Sequence, residues 1–189
     1  MGKHLVYGYT ITSDPSFLDE QSGMVPELKK KIVYYYQLAM EGKESNIQKI
    51  LEAIEKYPKN PQLKNFLSVL YRNLGREDKA FETNHWIIAE HPDYLVARLN
   101  LANECYLKGE YEKMKEIMGQ DMEIKAMYPH RDTFHITEVL SFTKSAVLYF
   151  TATGNVEQAE IRCRIMEDID PDSPETEFAR RQVLHAGKQ

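Results

Sequence analysis

Two histidine pairs, two cysteines and a scatter of carboxylates are the residues of this chain whose types could carry chemistry. His85 and His91 are six residues apart, and His130 and His135 are five apart. A helix brings residues three or four apart onto one face, so neither pair converges on a metal without ligands from elsewhere. There is no His-Glu-x-x-His run, no glycine-rich phosphate loop and no Gly-x-Ser-x-Gly elbow. Glu157, Glu160, Glu167 and Asp168 read as acids of a polar helix face, not as an acid–base pair. Cys105 follows His91 in the chain, but it falls on an apolar stripe, where it is a core thiol and not a nucleophile. Cys163 reads the same way, and two reduced thiols fit a reducing compartment. The expectation is therefore no catalytic residue, no cofactor-binding residue and no metal ligand. An enzyme with an atypical helical active site would need converging polar groups in an enclosed pocket.

Composition agrees with a soluble folded protein. Of 189 residues, 42% are hydrophobic and 28% charged, ordinary values for a globular chain. The length suits one domain or a short stack of four or five helical hairpins. Twenty-four basic against 29 acidic residues leave a formal charge of -5. A nucleic-acid partner, which needs a concentrated basic face, is not expected. No stretch of 18 apolar residues exists, so no membrane span is expected. Met1 to Gly8 holds Lys3 and His4 and no apolar run of signal length, which points to a cytoplasmic protein. A removed export signal would leave the same start.

The elements follow from period and punctuation. Residues 4–12, His-Leu-Val-Tyr-Gly-Tyr-Thr-Ile-Thr, suit extended structure, and Asp14-Pro15 suits a short helical turn through Phe17 and Leu18. From Pro26, Leu28, Ile32, Tyr35, Tyr36, Leu38 and Ala39 mark one helix, broken at Gly42. Ile47, Ile50, Leu51 and Ile54 mark a second, ending near Tyr57-Pro58. Asn60-Pro61 supplies a cap and a first-turn proline for a helix over 61–74, closed by Gly75. Helices over 77–90, 94–108 and 111–118 follow. Gly119 and Pro129 then punctuate an irregular stretch, before a long helix from about Asp132 to Ala152. After the Gly154-Asn155 turn comes a helix ending at Asp170-Pro171. Ser173-Pro174 starts a last, polar helix over 174–185.

Several of these positions recur 34 residues apart. Leu67, Tyr71, Gly75 and Ala80 are answered by Leu101, Cys105, Gly109 and Met114; Pro58 is answered by Pro92, and Val33 by Leu67. Pro92 is answered poorly, by Ala126. Gly109 to Gly154 is one period plus 11 residues. A fixed period with helical content points to stacked hairpins that bury their apolar faces on one another. The unit from Pro61 carries Lys64, Leu67, Ser68, Tyr71, Gly75, Ala80, Asn84, Ile87 and Pro92. The unit from Leu140 carries Thr143, Ala146, Val147, Phe150, Gly154, Ala159, Cys163, Met166 and Pro171. This pattern resembles the tetratricopeptide repeat family over about 135 residues. It departs from the family in lacking the early aromatic in every unit and the closing proline in the third.

The resemblance implies an all-α fold, a right-handed superhelix of antiparallel helix hairpins. Residues 1–25 would be a non-repeat N-terminal arm, 26–173 about four hairpins with an irregular insertion at 119–135, and 174–189 a capping helix and tail. In the family the first helix of each hairpin lines a concave groove. The groove positions so implied include Lys31, Tyr35, Asn65, Arg72, Asn103, Tyr106 and Lys144. Asparagines, tyrosines and scattered cations suit an extended peptide, whose main-chain groups they can satisfy. The places of the subtype that clamps a chaperone's terminal carboxylate carry Lys31, Tyr35, Phe66, Val96 and Asn100, which do not concentrate positive charge. The expected partner is a peptide or protein. The alternative is a structural subunit that forms a homo-oligomer through the edges of its stack.

Overall fold

A computed structural model of the chain describes residues 4–6 and 8–187. Residues 1–3 and Tyr7 of the expected arm, and the last two residues of the expected tail, lie outside the described residues. Among the described residues there are twelve helices and three short strands. In chain order they begin with β1 (His4–Val6), β2 (Tyr9–Thr12), α1 (Pro15–Gln21), α2 (Pro26–Lys29) and α3 (Ile32–Met40). Then come α4 (Asn46–Lys56), α5 (Pro61–Asn73), α6 (Glu77–Glu90), α7 (Leu95–Leu107) and α8 (Tyr111–Met118). The last are α9 (Ile124–Met127), β3 (Thr133–His135), α10 (Ile136–Ala152), α11 (Val156–Ile169) and α12 (Pro174–Ala186). The chain is helical in bulk, with one addition: the three strands form a sheet in the order β1-β2-β3.

Side-chain caps set several helix starts. The Asn60 side-chain oxygen accepts from the Leu63 N–H at 3.1 Å, ahead of Pro61. Asn155 accepts from the Gln158 N–H, and Ser173 from the Thr176 N–H ahead of Pro174. Each satisfies a first-turn donor that the helix itself leaves open.

The contacts divide the chain into two units, and α7 carries the division. The unit of Pro15–Arg98 is built on α5, which packs against α3, α4 and α6. Leu63, Phe66, Leu67 and Leu70 recur at helical spacing and are buried against Leu38 and Ala39 of α3 and Ile50, Ala53 and Ile54 of α4. Met24 packs on the same cluster, and the Asn60 amide donates to the Ser22 carbonyl at 2.9 Å. Residues 15–24 of the expected arm therefore belong to this unit, with Ser22 and Met24 making the contacts to it. The expected first helix divides into α2 and α3 at Lys30–Lys31, where the Lys31 N–H reaches Leu28 at 2.8 Å in a tightened turn. Tyr36, read with the inward face of that helix, is exposed.

The second unit comprises the described residues up to Asp14 and those from Leu99 onward. Here β1 pairs antiparallel with β2, and β2 pairs parallel with β3, matching Thr10 to Thr133 and Thr12 to His135. The helix expected from Asp132 starts instead at Ile136, because Thr133–His135 are drawn into this sheet. Tyr9 and Phe134, both buried, meet edge to face at 5.2 Å. Helix α10 packs against α8, α11 and α12, and Leu140, Val147, Ala159, Cys163, Met166 and Ala179 form the core that α10 shares with α11 and α12. The polar face of α12 is confined to its outer side: Thr176 and Ala179 are fully buried.

Candidate functional site

The 34-residue spacing corresponds to a repeated hydrogen-bonded turn. The Arg76 N–H donates to the Tyr71 carbonyl at 2.8 Å, Glu110 to Cys105 at 2.8 Å, and Asn155 to Phe150 at 2.8 Å. Within each turn sits a glycine at positive φ: Gly75 and Gly109 at 71° and Gly154 at 77°. This left-handed residue lets the orphan carbonyls at the helix end find donors before the chain reverses. The following helix then starts alike each time, with Ala80, Met114 and Ala159 each donating to the residue four back. All three side chains are fully buried. The first hairpin solves the problem differently. After Gly42 the Leu38 carbonyl accepts from the buried Asn46 side chain at 3.0 Å, and the Ala39 carbonyl from the Asn73 side chain at 3.0 Å.

The second helices also end alike. Tyr57, His91 and Asp170 leave the helix with their N–H groups bonded four residues back, and each precedes a proline. Tyr128 does the same ahead of Pro129, with φ -121° and ψ 67°. The missing third proline is thus present, three residues late. Gly119 and Met122, at φ 85° and 51°, open the helix there, and α9 resumes it for one turn. Four further residues enter between Pro129 and the His135 cap, and α10 has 17 residues where α5 and α7 have 13. These three local changes account for the 11-residue excess.

The stretch at 119–138 is ordered by charge. Arg131 Nη2 donates to Glu138 Oε2 at 2.7 Å with both side chains 9% exposed. The same carboxylate accepts from the His135 N–H at 2.9 Å, closing a capping box on α10. The Arg131 guanidinium also lies over Phe134 at 4.3 Å. Lys125 ties the loop by donating to the carbonyls of Pro129 and Arg131 and to Asp132. Arg162 of α11 reaches back to the Asp121 carbonyl and to Glu123 at 3.1 Å, and lies over Phe150. Burial moves Glu123 upward, with Arg162 opposing, and burial moves Arg162 downward.

The seven groove positions divide between the units. Lys31 is exposed at the start of α3, and Tyr35 is half-buried against the α3–α5 core, where burial raises its phenol. Asn65 and Arg72 are half-buried on α5, and Arg72 lies 3.7 Å from Glu77. Asn103 is exposed on α7. Tyr106 is half-buried and tilts toward Tyr111 at 6.2 Å; burial also raises its phenol. Lys144 is half-buried on α10. Tyr35 thus has packing to do as well as any contact with a partner.

The chemistry-bearing residues have structural surroundings. Cys105 and Cys163 are free and buried, and burial pushes both thiols up, away from thiolate. His135 caps α10, and His85 packs edge to face on Phe81. Among the described residues no group of three or more His, Cys, Asp or Glu is placed to hold a metal ion. No helix is long and apolar enough to cross a membrane, again among the described residues. Buried Lys64, Arg131 and Arg162 escape sequence reasoning, which places such side chains in water. The one available signal is the Tyr128-Pro129 pair, which repeats Tyr57-Pro58 three residues out of register. The chain matches no protein-family model, no curated protein and no solved structure.

Proposed function

We propose that this chain is a tetratricopeptide-like interaction module that holds a peptide or protein partner on the faces of its first helices. The observation that carries this reading is the turn repeated at Tyr71–Arg76, Cys105–Glu110 and Phe150–Asn155, with the same 2.8 Å closing bond. Its support is local and architectural. A repeated hairpin is a device for stacking helices, and stacked hairpins present extended surfaces suited to partners. The α5 packing fits that device, since α5 touches its own second helix and both helices of the preceding hairpin. Within Pro15–Arg98, Asn65 and Arg72 supply donors and acceptors for a partner; in the other unit, taken by itself, Asn103, Tyr106 and Lys144 supply donors, acceptors and aromatic surface. A net charge of -5 favours a protein partner over a polyanion.

The test is affinity capture from the source organism with Asn65, Asn103 and Tyr106 changed to alanine, singly and together. Capture of a specific partner should fall severalfold, while helicity and thermal midpoint stay near those of the unaltered chain. Equal capture by the triple variant would defeat the assignment.

A further inference from the structure

Strand β3 accepts an extended segment from far away in the chain. Its pairing with β2 is parallel and joins residues more than 120 apart. The Thr10 N–H donates to the Asp132 carbonyl at 2.9 Å. Along β2 the side chains alternate, with Tyr9 and Ile11 buried and Thr10 and Thr12 half-buried. Tyr9 meets the fully buried Phe134 edge to face. Main-chain bonds, with alternate side chains taken inward, are how a sheet edge recognises an added strand. A two-stranded hairpin by itself is marginal in water, so the order of β1 and β2 depends on this edge.

The link that follows the hairpin is short and stiff. After Thr12 come Ser13 and Asp14, both exposed, before Pro15 starts α1 of the other unit. The Asp14 N–H donates to Thr12 Oγ1 at 3.1 Å. A residue before proline is confined to extended backbone, which leaves this link little freedom. Short links favour exchange of the tethered element between copies of a chain.

The fit itself identifies the occupant. The β3 edge is filled by one sequence, Tyr9–Thr12, held in register with Tyr9 and Ile11 turned inward. The same residues of a second copy meet that edge with the same contacts. We propose that two copies of this chain exchange their β1–β2 hairpins, so that β3 of each copy is completed by β2 of the other. The exchange is reciprocal and closes at a dimer. Its equilibrium is a competition between the tethered hairpin and that of the second copy. A short tether sets an effective concentration on the millimolar scale, so exchange becomes substantial at about 1 mM protein. It is slow, because each hairpin must first withdraw Tyr9 and Ile11 from their buried sites. The proposal is independent of the peptide-binding reading, since it rests on β2 and β3 and on none of the groove residues.

Incubation of the full chain at about 1 mM, followed by sedimentation after dilution to about 10 μM, tests it. A fraction should keep twice the 22.1 kDa mass for hours, where a dimer of surface contacts would dissociate on dilution. Insertion of Gly-Ser-Gly-Ser between Ser13 and Asp14 should lower that fraction severalfold, and removal of Ser13 and Asp14 should raise it severalfold. A mixture of Thr10→Cys and Thr133→Cys chains, held at about 1 mM and then oxidised, should link one chain of each kind. Paired strands set their Cα atoms about 4.8 Å apart, within disulfide reach. Native Cys105 and Cys163 are buried. A monomeric mass for the intact chain and the shortened link alike overturns the proposal. So does a dimer that dissociates at once on dilution, or one indifferent to the length of the link. Absence of the mixed disulfide, where the double variant Thr10→Cys/Thr133→Cys closes its own, overturns it as well.

Discussion

Lys64 of α5 is 1% exposed, yet its ammonium is hydrogen-bonded to the carboxylate of Glu90, which is half in water. The side chain is buried along its length, and its ammonium lies where α4 and α6 end. There it also meets the Pro58 carbonyl at 3.3 Å, His91 Nε2 at 3.1 Å and the Trp86 ring at 4.5 Å. A cation so placed complements the negative ends of two helices and joins them.

Most of the value of Lys64 to the fold should therefore lie in its stem. Lys64→Ala removes buried methylenes and should cost about 2–4 kcal/mol. Lys64→Met keeps their volume and should cost less than about 1.5 kcal/mol. Urea denaturation of both variants gives the comparison. Equal losses would show instead that the ammonium's contacts dominate.

The same cluster makes stability depend on pH. Burial, and next the Lys64 charge, hold His91 below the ordinary imidazole value, with Glu90 opposing. The unfolded chain thus takes up this proton first as pH falls. Stability should be full above about 6.5, the unfolded value, and decline below it until the folded His91 also protonates. Glu90 is held low by its hydrogen bonds from Lys64 and then Trp86. Its contribution is present above the unfolded carboxylate value and is lost as pH falls through the depressed folded one. His91→Asn should abolish the first decline and retain the second. An unchanged slope just below pH 6.5 in urea midpoints of that variant would refute the assignment.

The turn glycines should share one cost, that of the left-handed backbone. At Gly75, Gly109 and Gly154 an added Cβ meets nothing within 4 Å, so alanine carries only the left-handed backbone cost, about 1–2 kcal/mol each. At Gly42 it would meet Asn73 Cβ at 3.4 Å, beside the amide that caps the Ala39 carbonyl. That is ordinary contact distance, so Gly42→Ala should cost no more than the other three, and asparagine should be milder than alanine at Gly75. Thermal midpoints of the set would check both.

What the sequence discloses here is local, and what it hides depends on distant partners. Gly75, Gly109 and Gly154 are legible because backbone sterics restrict left-handed turns to few residue types. Asn60-Pro61 and Ser173-Pro174 are legible as starts because capping acts within one turn. Thr133–His135 reads as the beginning of a helix until Thr10–Thr12, more than 120 residues earlier, supplies its strand partner. Lys64 reads as solvated until Glu90 and Trp86 arrive from the next helix. Tyr36 reads as core from its neighbours' periodicity, though its helix turns it outward. Pro129 escapes the repeat count because the helix before it opens at Gly119.

The Arg131–Glu138 pair permits the most decisive mutational test. Glu138 has two duties: it neutralises a buried guanidinium, and it caps α10 through the His135 N–H. Glu138→Leu ends both and leaves the Arg131 charge without its carboxylate, at a cost of about 3–5 kcal/mol. Arg131→Met alone should cost less, because the carboxylate keeps its bond to the His135 N–H. The double variant Arg131→Met/Glu138→Leu replaces a buried pair by apolar volume. It should regain most of the loss, short of about 1 kcal/mol for the cap. The coupling in this cycle is then large and favourable to the double variant. If the two single losses instead add, the pair contributes through separate contacts, and the order of the 119–138 segment has to come from Lys125 and Arg162.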